Sequence, residues 1–172
     1  MKTVIIQGSS NPEGNTQIVA NQLAQNINAD VIFLGDKTIL PFDYEFKNQN
    51  DDFNRLIHDI LDHYDAIVFA TPVYWYTMSG IMKNFLDRFT DGLLHDKILV
   101  EKFKGKALSA LACGSAKEPI EGFFIPFQKS AVYLKMNYLG DVHLWVENGQ
   151  LSKAADLRLQ SFAILFNSSK AQ

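Results

Sequence analysis

With 172 residues, 47% of them hydrophobic and 20% charged, the chain has the size and balance to bury an ordinary core unaided by metals or disulfides. The net charge of −3 supplies no basic field and excludes a nucleic-acid partner, while a single cysteine, Cys113, excludes an internal disulfide. The four histidines show no metal-ligand spacing, no signal-peptide pattern opens the chain, and no apolar run approaches membrane-spanning length; one cytoplasmic domain over 1–172, without metal and without a membrane span, is expected.

The first predicted strand, Thr3–Gln7, is apolar on both faces and runs into Gly8-Ser9-Ser10-Asn11-Pro12-Glu13-Gly14-Asn15-Thr16. That turn opens onto a helical pattern at Asn15–Asn28. A buried strand and a helix amino terminus meeting at a glycine- and hydroxyl-rich turn form a seat for phosphate, because unsatisfied N–H groups and the positive dipole end converge there. Gly8 and Gly14 allow close backbone approach, and Ser9, Ser10, Asn15 and Thr16 add side-chain donors. The turn contains no Lys or Arg, which suits a monoester better than a triphosphate. Five residues separate Gly8 from Gly14 and Asn15 follows, so the turn is no Walker A loop. Ser10 and Glu13 stand where the dinucleotide fingerprint needs glycine. A ligand-free Gly/Ser turn between strand and helix is the alternative at this point.

Further strands are predicted at Val31–Leu34, Ala66–Ala70, Ala107–Ala112 and Tyr138–Val146, and further helices at Asp51–Tyr64, Gly80–Thr90, Ile120–Asn137 and Leu151–Phe166. Asn50 and Asp51 can cap the second helix, and Ser152 the last. Alternation of this kind predicts a doubly wound α/β domain: a five-stranded parallel sheet with helices on both faces, whose expected order 2-1-3-4-5 puts the ligand between the first and third strands. Asp36–Asn50 and Asp91–Lys104 read as long loops.

The segment after the third strand, Thr71-Pro72-Val73-Tyr74-Trp75-Tyr76-Thr77-Met78-Ser79-Gly80, offers consecutive aromatics and free backbone donors to a planar heterocycle. A hydrophobic cap over the sheet edge is the competing reading. After the fourth strand comes Ala112-Cys113-Gly114-Ser115-Ala116-Lys117-Glu118-Pro119, where Gly114 permits close approach. Cys113 has no arginine at phosphatase spacing and no evident histidine partner, so it is read as an inert small residue. His58, His63, His95 and His143 are read as surface or packing histidines, and Lys83 with Asp87 as an intrahelical ion pair.

At these three segments the chain resembles the flavodoxin-like NAD(P)H-dependent FMN reductase family, which includes quinone, azo and flavin reductases. The matching residues are Gly8-Ser9-Ser10 with Gly14-Asn15-Thr16, the run Thr71–Gly80, and Met82-Lys83-Asn84-Phe85-Leu86-Asp87-Arg88. The resemblance implies a flavodoxin-like fold of this doubly wound kind, FMN as cofactor, NAD(P)H as co-substrate and a small-molecule electron acceptor. By position it assigns phosphate binding to Ser9, Ser10, Asn15, Thr16 and Gln17, ring contact to Pro72, Val73, Tyr74 and Trp75, and closure of the site to Cys113, Gly114 and Ser115. The FMN carries the redox chemistry, so no catalytic side chain is expected. One branch of the family holds an iron–sulfur centre on cysteines after the second strand; Ile39–Glu45 contains none, and no cluster is expected. A flavodoxin-type electron carrier is the alternative, although such carriers are strongly acidic. Ile81, Met82, Phe85, Leu86 and Phe89 and the last helix supply apolar surface, some of which must face the sheet; the remainder could form the homodimer that the resemblance implies.

Overall fold

The computed structural model describes residues 1–167. Apolar β-rich segments at Thr3–Gln7 (β1), Asp30–Phe33 (β2), Ala66–Tyr74 (β3), Ala107–Gly114 (β5) and Asn137–Glu147 (β6) form parallel pairs, and the two-residue strands Thr77–Met78 (β4) and Gln150–Leu151 (β7) add antiparallel to β3 and β6. The sheet therefore has seven strands, in the path β2-β1-β3-β5-β6-β7 with β4 paired to β3 alone, where five were expected. Both additions are hairpin returns too short to show alternation in sequence.

Side-chain alternation along the strands builds two cores. Ile5, Val68, Leu111 and Leu144 point to the face covered by α1 (Asn15–Ile27) and α7 (Lys153–Asn167), against Val19, Leu23, Leu159 and Phe162. Val4, Ile6, Phe69 and Leu108 point to the other face, against α2 (Asp52–His63), α3 (Gly80–Asp87), α4 (Phe89–His95), α5 (Lys97–Phe103) and α6 (Ile125–Tyr133). Aromatic rings dominate this second core: Phe53, Phe69, Phe85, Phe89 and Phe103 interlock at centroid separations of 5.0–6.4 Å, within the range of favourable ring contacts.

Several sequence expectations are revised. The expected loop Asp91–Lys104 holds most of α4 and all of α5, and the helix expected over Ile120–Asn137 is confined to α6. On α3 and at the start of α4, Met82, Phe85 and Phe89 are the part of the expected apolar surface that faces the core, leaving Ile81 and Leu86 half-buried. Exposed apolar side chains lie instead at Leu94, Ile98, Ile125, Val132 and Tyr133, and at Leu157, Ile164 and Leu165 on α7. Asp51 caps α2 by accepting from the Phe53 N–H at 2.9 Å, and the Ser152 hydroxyl accepts from the Ala155 N–H at 3.3 Å. The loop after β2 is pinned by Arg88, which is 1% exposed. Its guanidinium donates to Asp91 at 2.6 Å, to Asp51, and to the Leu40 and Asn48 carbonyls at 2.9 and 3.0 Å, with the plane 4.8 Å from the Phe53 ring centroid.

Among the described residues no helix is long and apolar enough to cross a membrane, and no group of three or more His, Cys, Asp or Glu side chains is placed to hold a metal ion.

Candidate functional site

The carboxyl ends of β1, β3 and β5 meet around a cavity of about 380 Å³, lined by Ser9, Asn11, Gly14, Asn15, Thr16, Pro72, Val73, Tyr74, Cys113, Gly114 and Ser115. Its size falls within the ordinary range for small-ligand pockets. It lies where an open parallel sheet places ligands, beyond the strand ends between β1 and its neighbour β3. A larger hollow of about 590 Å³ runs along α2. Several of its charged groups are paired with one another or with neighbours, such as Asp62 with Lys102 at 2.6 Å and His63 with Asp59 at 3.1 Å, and it lies along a helix flank away from the carboxyl ends of the central strands.

The turn after β1 is organised from within. Ser9 is buried; its N–H donates to Gln7 Oε1 at 2.9 Å, its hydroxyl donates to the Asn11 carbonyl at 2.9 Å, and Gln7 Nε2 donates to that hydroxyl at 2.9 Å. Ser9 is thus the frame of the loop, with its polar atoms already engaged. The donors left over belong to the turn and the start of α1: among the described residues the N–H groups of Ser10, Asn15 and Thr16 have no acceptor, although Thr16 is only 4% exposed. Gly14, the N-cap, provides no side-chain cap, and no acidic residue stands in the first helical turn. A helix terminus left open beside a cavity is where an anion is stabilised.

Two glycines owe their place to protein atoms. A Cβ on Gly8 would meet the Met82 side chain at 2.8 Å, and one on Gly114 would meet His143 Cε1 at 2.7 Å. Gly8 therefore lets α3 pack against the end of β1, and Gly114 admits the imidazole, where the sequence alone pointed to ligand approach for both. Ser79 joins these parts: its hydroxyl donates to the Gly8 carbonyl and accepts from the Met82 N–H at 3.0 Å, capping α3.

The segment after Ala70 is a hairpin. β3 continues to Tyr74, and Trp75-Tyr76 turn back into β4 with φ of 47° and 67°. Positive φ at both central residues is the geometry of a type I′ turn, which Asn and Gly adopt readily and bulky aromatics do not. Pro72 is buried and paired with Cys113, while Tyr74 is 46% and Trp75 92% exposed. Burial pushes the Cys113 thiol up to about 11, with a hydrogen bond from Thr16 offsetting part of the shift, so Cys113 is a protonated, inert group at neutral pH.

Of the residues singled out by sequence, the cavity brings together Ser9, Asn15, Thr16, Pro72, Val73, Tyr74, Cys113, Gly114 and Ser115. Ser10 sits exposed on the turn beside it. Gln17 is not among the lining residues, and its amide donates to Asn21 at 2.7 Å, one turn further along α1. Trp75 lines an adjoining cavity of about 350 Å³ that shares Val73, Gly114 and Ser115 with the first. Asn11 and Gly14 were not assigned from sequence as site residues, yet both line the cavity. Both lie inside the glycine-rich turn, which was the available signal. Lys83 and Asp87 pair at 2.5 Å, as expected of an intrahelical ion pair.

The description NADPH-dependent FMN reductase matches residues 1–150. The chain belongs to the NADPH-dependent FMN reductase family. YwqN of Bacillus subtilis, provisionally assigned as an NAD(P)H-dependent FMN-containing oxidoreductase, is 28% identical over 152 residues, covering 83% of both chains. An NADPH azoreductase of a Bacillus species is 28% identical over 87 residues, covering 51% of this chain and 49% of its own. Among solved structures, a flavodoxin, WrbA-like protein from Agrobacterium tumefaciens superimposes with a TM-score of 0.68 at 18% identity over 98% of this chain and 97% of that one. The fold is flavodoxin-like α/β, and the family's chemistry is NAD(P)H-dependent oxidoreduction with FMN.

Proposed function

We propose that this chain binds FMN in the cavity at the ends of β1, β3 and β5 and reduces a small planar acceptor, such as a quinone, an azo compound or a free flavin, at the expense of NAD(P)H. The observation that carries the reading is the open start of α1 at the cavity wall, which fits a phosphate monoester. The Asn15 and Thr16 N–H groups lack acceptors among the described residues, and no Lys or Arg lines the cavity. Each donor to a charged oxygen contributes roughly 1.5–3 kcal/mol and the helix dipole about 0.3–1 kcal/mol, so neutral donors suffice. In this reading Ser10, Asn15 and Thr16 hold the phosphate, with Ser9 and Gln7 stiffening the turn behind them. Pro72, Val73 and Tyr74 form one wall against the ring system, and Cys113, Gly114 and Ser115 the opposite one. When bound, FMN supplies the hydride-transfer chemistry that no side chain here provides. The protein's part is to orient the ring, keep water from one side of it and leave the other side open to nicotinamide and acceptor in turn.

We also propose a homodimer built on the apolar residues exposed on α4 to α7, tested by sedimentation at micromolar concentration. The test of the main reading is the visible spectrum of the purified protein, followed by anaerobic addition of NADH and NADPH. A yellow protein bleached rapidly by either nicotinamide is expected. A colourless protein whose melting temperature ignores FMN overturns the reading, and bleaching only through a separate reductase makes the chain an electron carrier.

A further inference from the structure

The cavity that adjoins the phosphate-side one is bordered by Trp75 and Tyr76 on the strained turn, by Ile120, and by the loop carrying Glu118. Trp75 and Tyr76 are 92% and 74% exposed, and neither ring stacks on another aromatic among the described residues. Two large rings held out to solvent at positive φ cost conformational energy and hydration, and a flat ligand that covers them removes the second cost.

The loop opposite is fixed. His143 Nε2 lies 2.9 Å from the Ala116 carbonyl, Arg158 donates to the Lys117 carbonyl at 3.0 Å, and Pro119 restricts Glu118 to extended backbone. The Lys117 ammonium is drawn 3.5 Å from Glu147, and the Arg158 guanidinium stacks 4.8 Å from the Trp145 ring centroid. Neither cation is therefore among the lining residues, and Glu118 is left as the carboxylate on a wall without Lys or Arg.

We propose that this adjoining cavity is the acceptor subsite and that Glu118 is a specificity-determining residue favouring uncharged planar acceptors over anionic ones. The inference rests on the FMN reductase reading above. Glu118 is exposed, so its carboxylate acts through water, where two like charges about 7 Å apart disfavour each other by on the order of 3-fold.

The experiment compares 1,4-naphthoquinone with its 2-sulfonate in the FMN-loaded protein. In each case NADH and a proton convert the quinone to the hydroquinone and leave NAD⁺. Two readouts are taken: kcat/KM with NADH, and the dissociation constant from quenching of tryptophan fluorescence in the oxidised protein without NADH. Glu118→Gln is expected to lower the preference for the neutral quinone by about 3-fold in both readouts, while Glu118→Asp retains it. Added salt should shrink the preference in the wild type more than in Glu118→Gln, since exposed charges are screened. If NADH bleaches the flavin but Glu118→Gln leaves the preference unchanged, the inference falls and the reductase reading stands. If neither nicotinamide bleaches the flavin, the reductase reading falls and takes the inference with it.

Discussion

Ser79 ties the phosphate-side turn to the helix that follows the hairpin, and removing its hydroxyl tests whether that tie holds the site together. Its oxygen is 1% exposed at the residue level, donates to the carbonyl of buried Gly8 and accepts from the Met82 N–H. Ser79→Ala deletes an N-cap, at a cost of about 1 kcal/mol. It also leaves the carbonyl of buried Gly8 without its partner, adding roughly 1–3 kcal/mol. The sum, about 2–4 kcal/mol, corresponds to a fall in melting temperature of roughly 4–16 °C for a chain of this size. Urea denaturation of the FMN-free protein measures it directly. Ser152→Ala is the control, because that hydroxyl accepts from the Ala155 N–H and has no buried carbonyl beneath it. A loss in Ser79→Ala no larger than in Ser152→Ala would refute the argument that the Gly8 carbonyl depends on Ser79.

Asn15→Pro, which removes the N–H at the first position of α1 where proline fits the helix, should weaken FMN by about 10-fold or more while leaving riboflavin, which lacks the phosphate, unaffected; equal losses for both flavins in fluorescence titrations would contradict a phosphate role. Arg88→Met should destabilise by about 3–5 kcal/mol in urea, because Asp51 and Asp91 would remain buried without their cation. Arg88→Lys should recover little, since an ammonium cannot reproduce the planar fork of bonds, and a loss under about 1.5 kcal/mol in Arg88→Met would show the network to be dispensable. Cys113 titrates near 11 when folded against an ordinary 9.0. The unfolded chain releases this proton first, so the stability it lends is complete below pH 9 and declines as pH rises toward 11. Cys113→Ser should flatten that part of the stability profile, and iodoacetamide should label the native wild type slowly until the same range is reached.

What the sequence made legible, and what it hid, follows from how local each cause is. The turn after β1 is local, since glycine, serine and asparagine between an apolar strand and a helical pattern announce themselves. The end of β3 is not. Thr71-Pro72 reads as a breaker, yet the strand runs on to Tyr74. β1 leaves the sheet at Gly8, whose N–H bonds the Ala70 carbonyl at 2.9 Å, and β4 pairs only from Val73 onward, so at Pro72 β3 has β5 as its one neighbour and proline's missing N–H breaks no ladder. The I′ turn was hidden because Trp75 and Tyr76 occupy positions where Asn-Gly is the recognisable signal. That Gly8 and Gly114 make room for Met82 and His143 was hidden, because those side chains are remote in sequence. Arg88 drew no reading of its own from the sequence. Its setting between Leu86 and Phe89 with Asp91 three residues on was a usable sign of a buried ion pair.

The state of the helix starts sharpens the assignment of the site. Side chains cap α2, α3 and α5 through Asp51, Ser79 and Asp96, and Ser152 serves α7. Of the two other starts without a side-chain cap, α4 continues directly from α3 and α6 carries proline in its first turn, which removes a donor. α1 has neither excuse. It is 13 residues long, begins at a glycine in extended conformation, and leaves first-turn N–H groups beside a cavity. An aspartate or serine cap there would stabilise the free protein by about 1 kcal/mol but would occupy the donors an anion needs. A chain that caps its helices elsewhere and leaves this one open trades a small amount of stability for binding, which is the pattern expected where function and folding compete for the same hydrogen bonds.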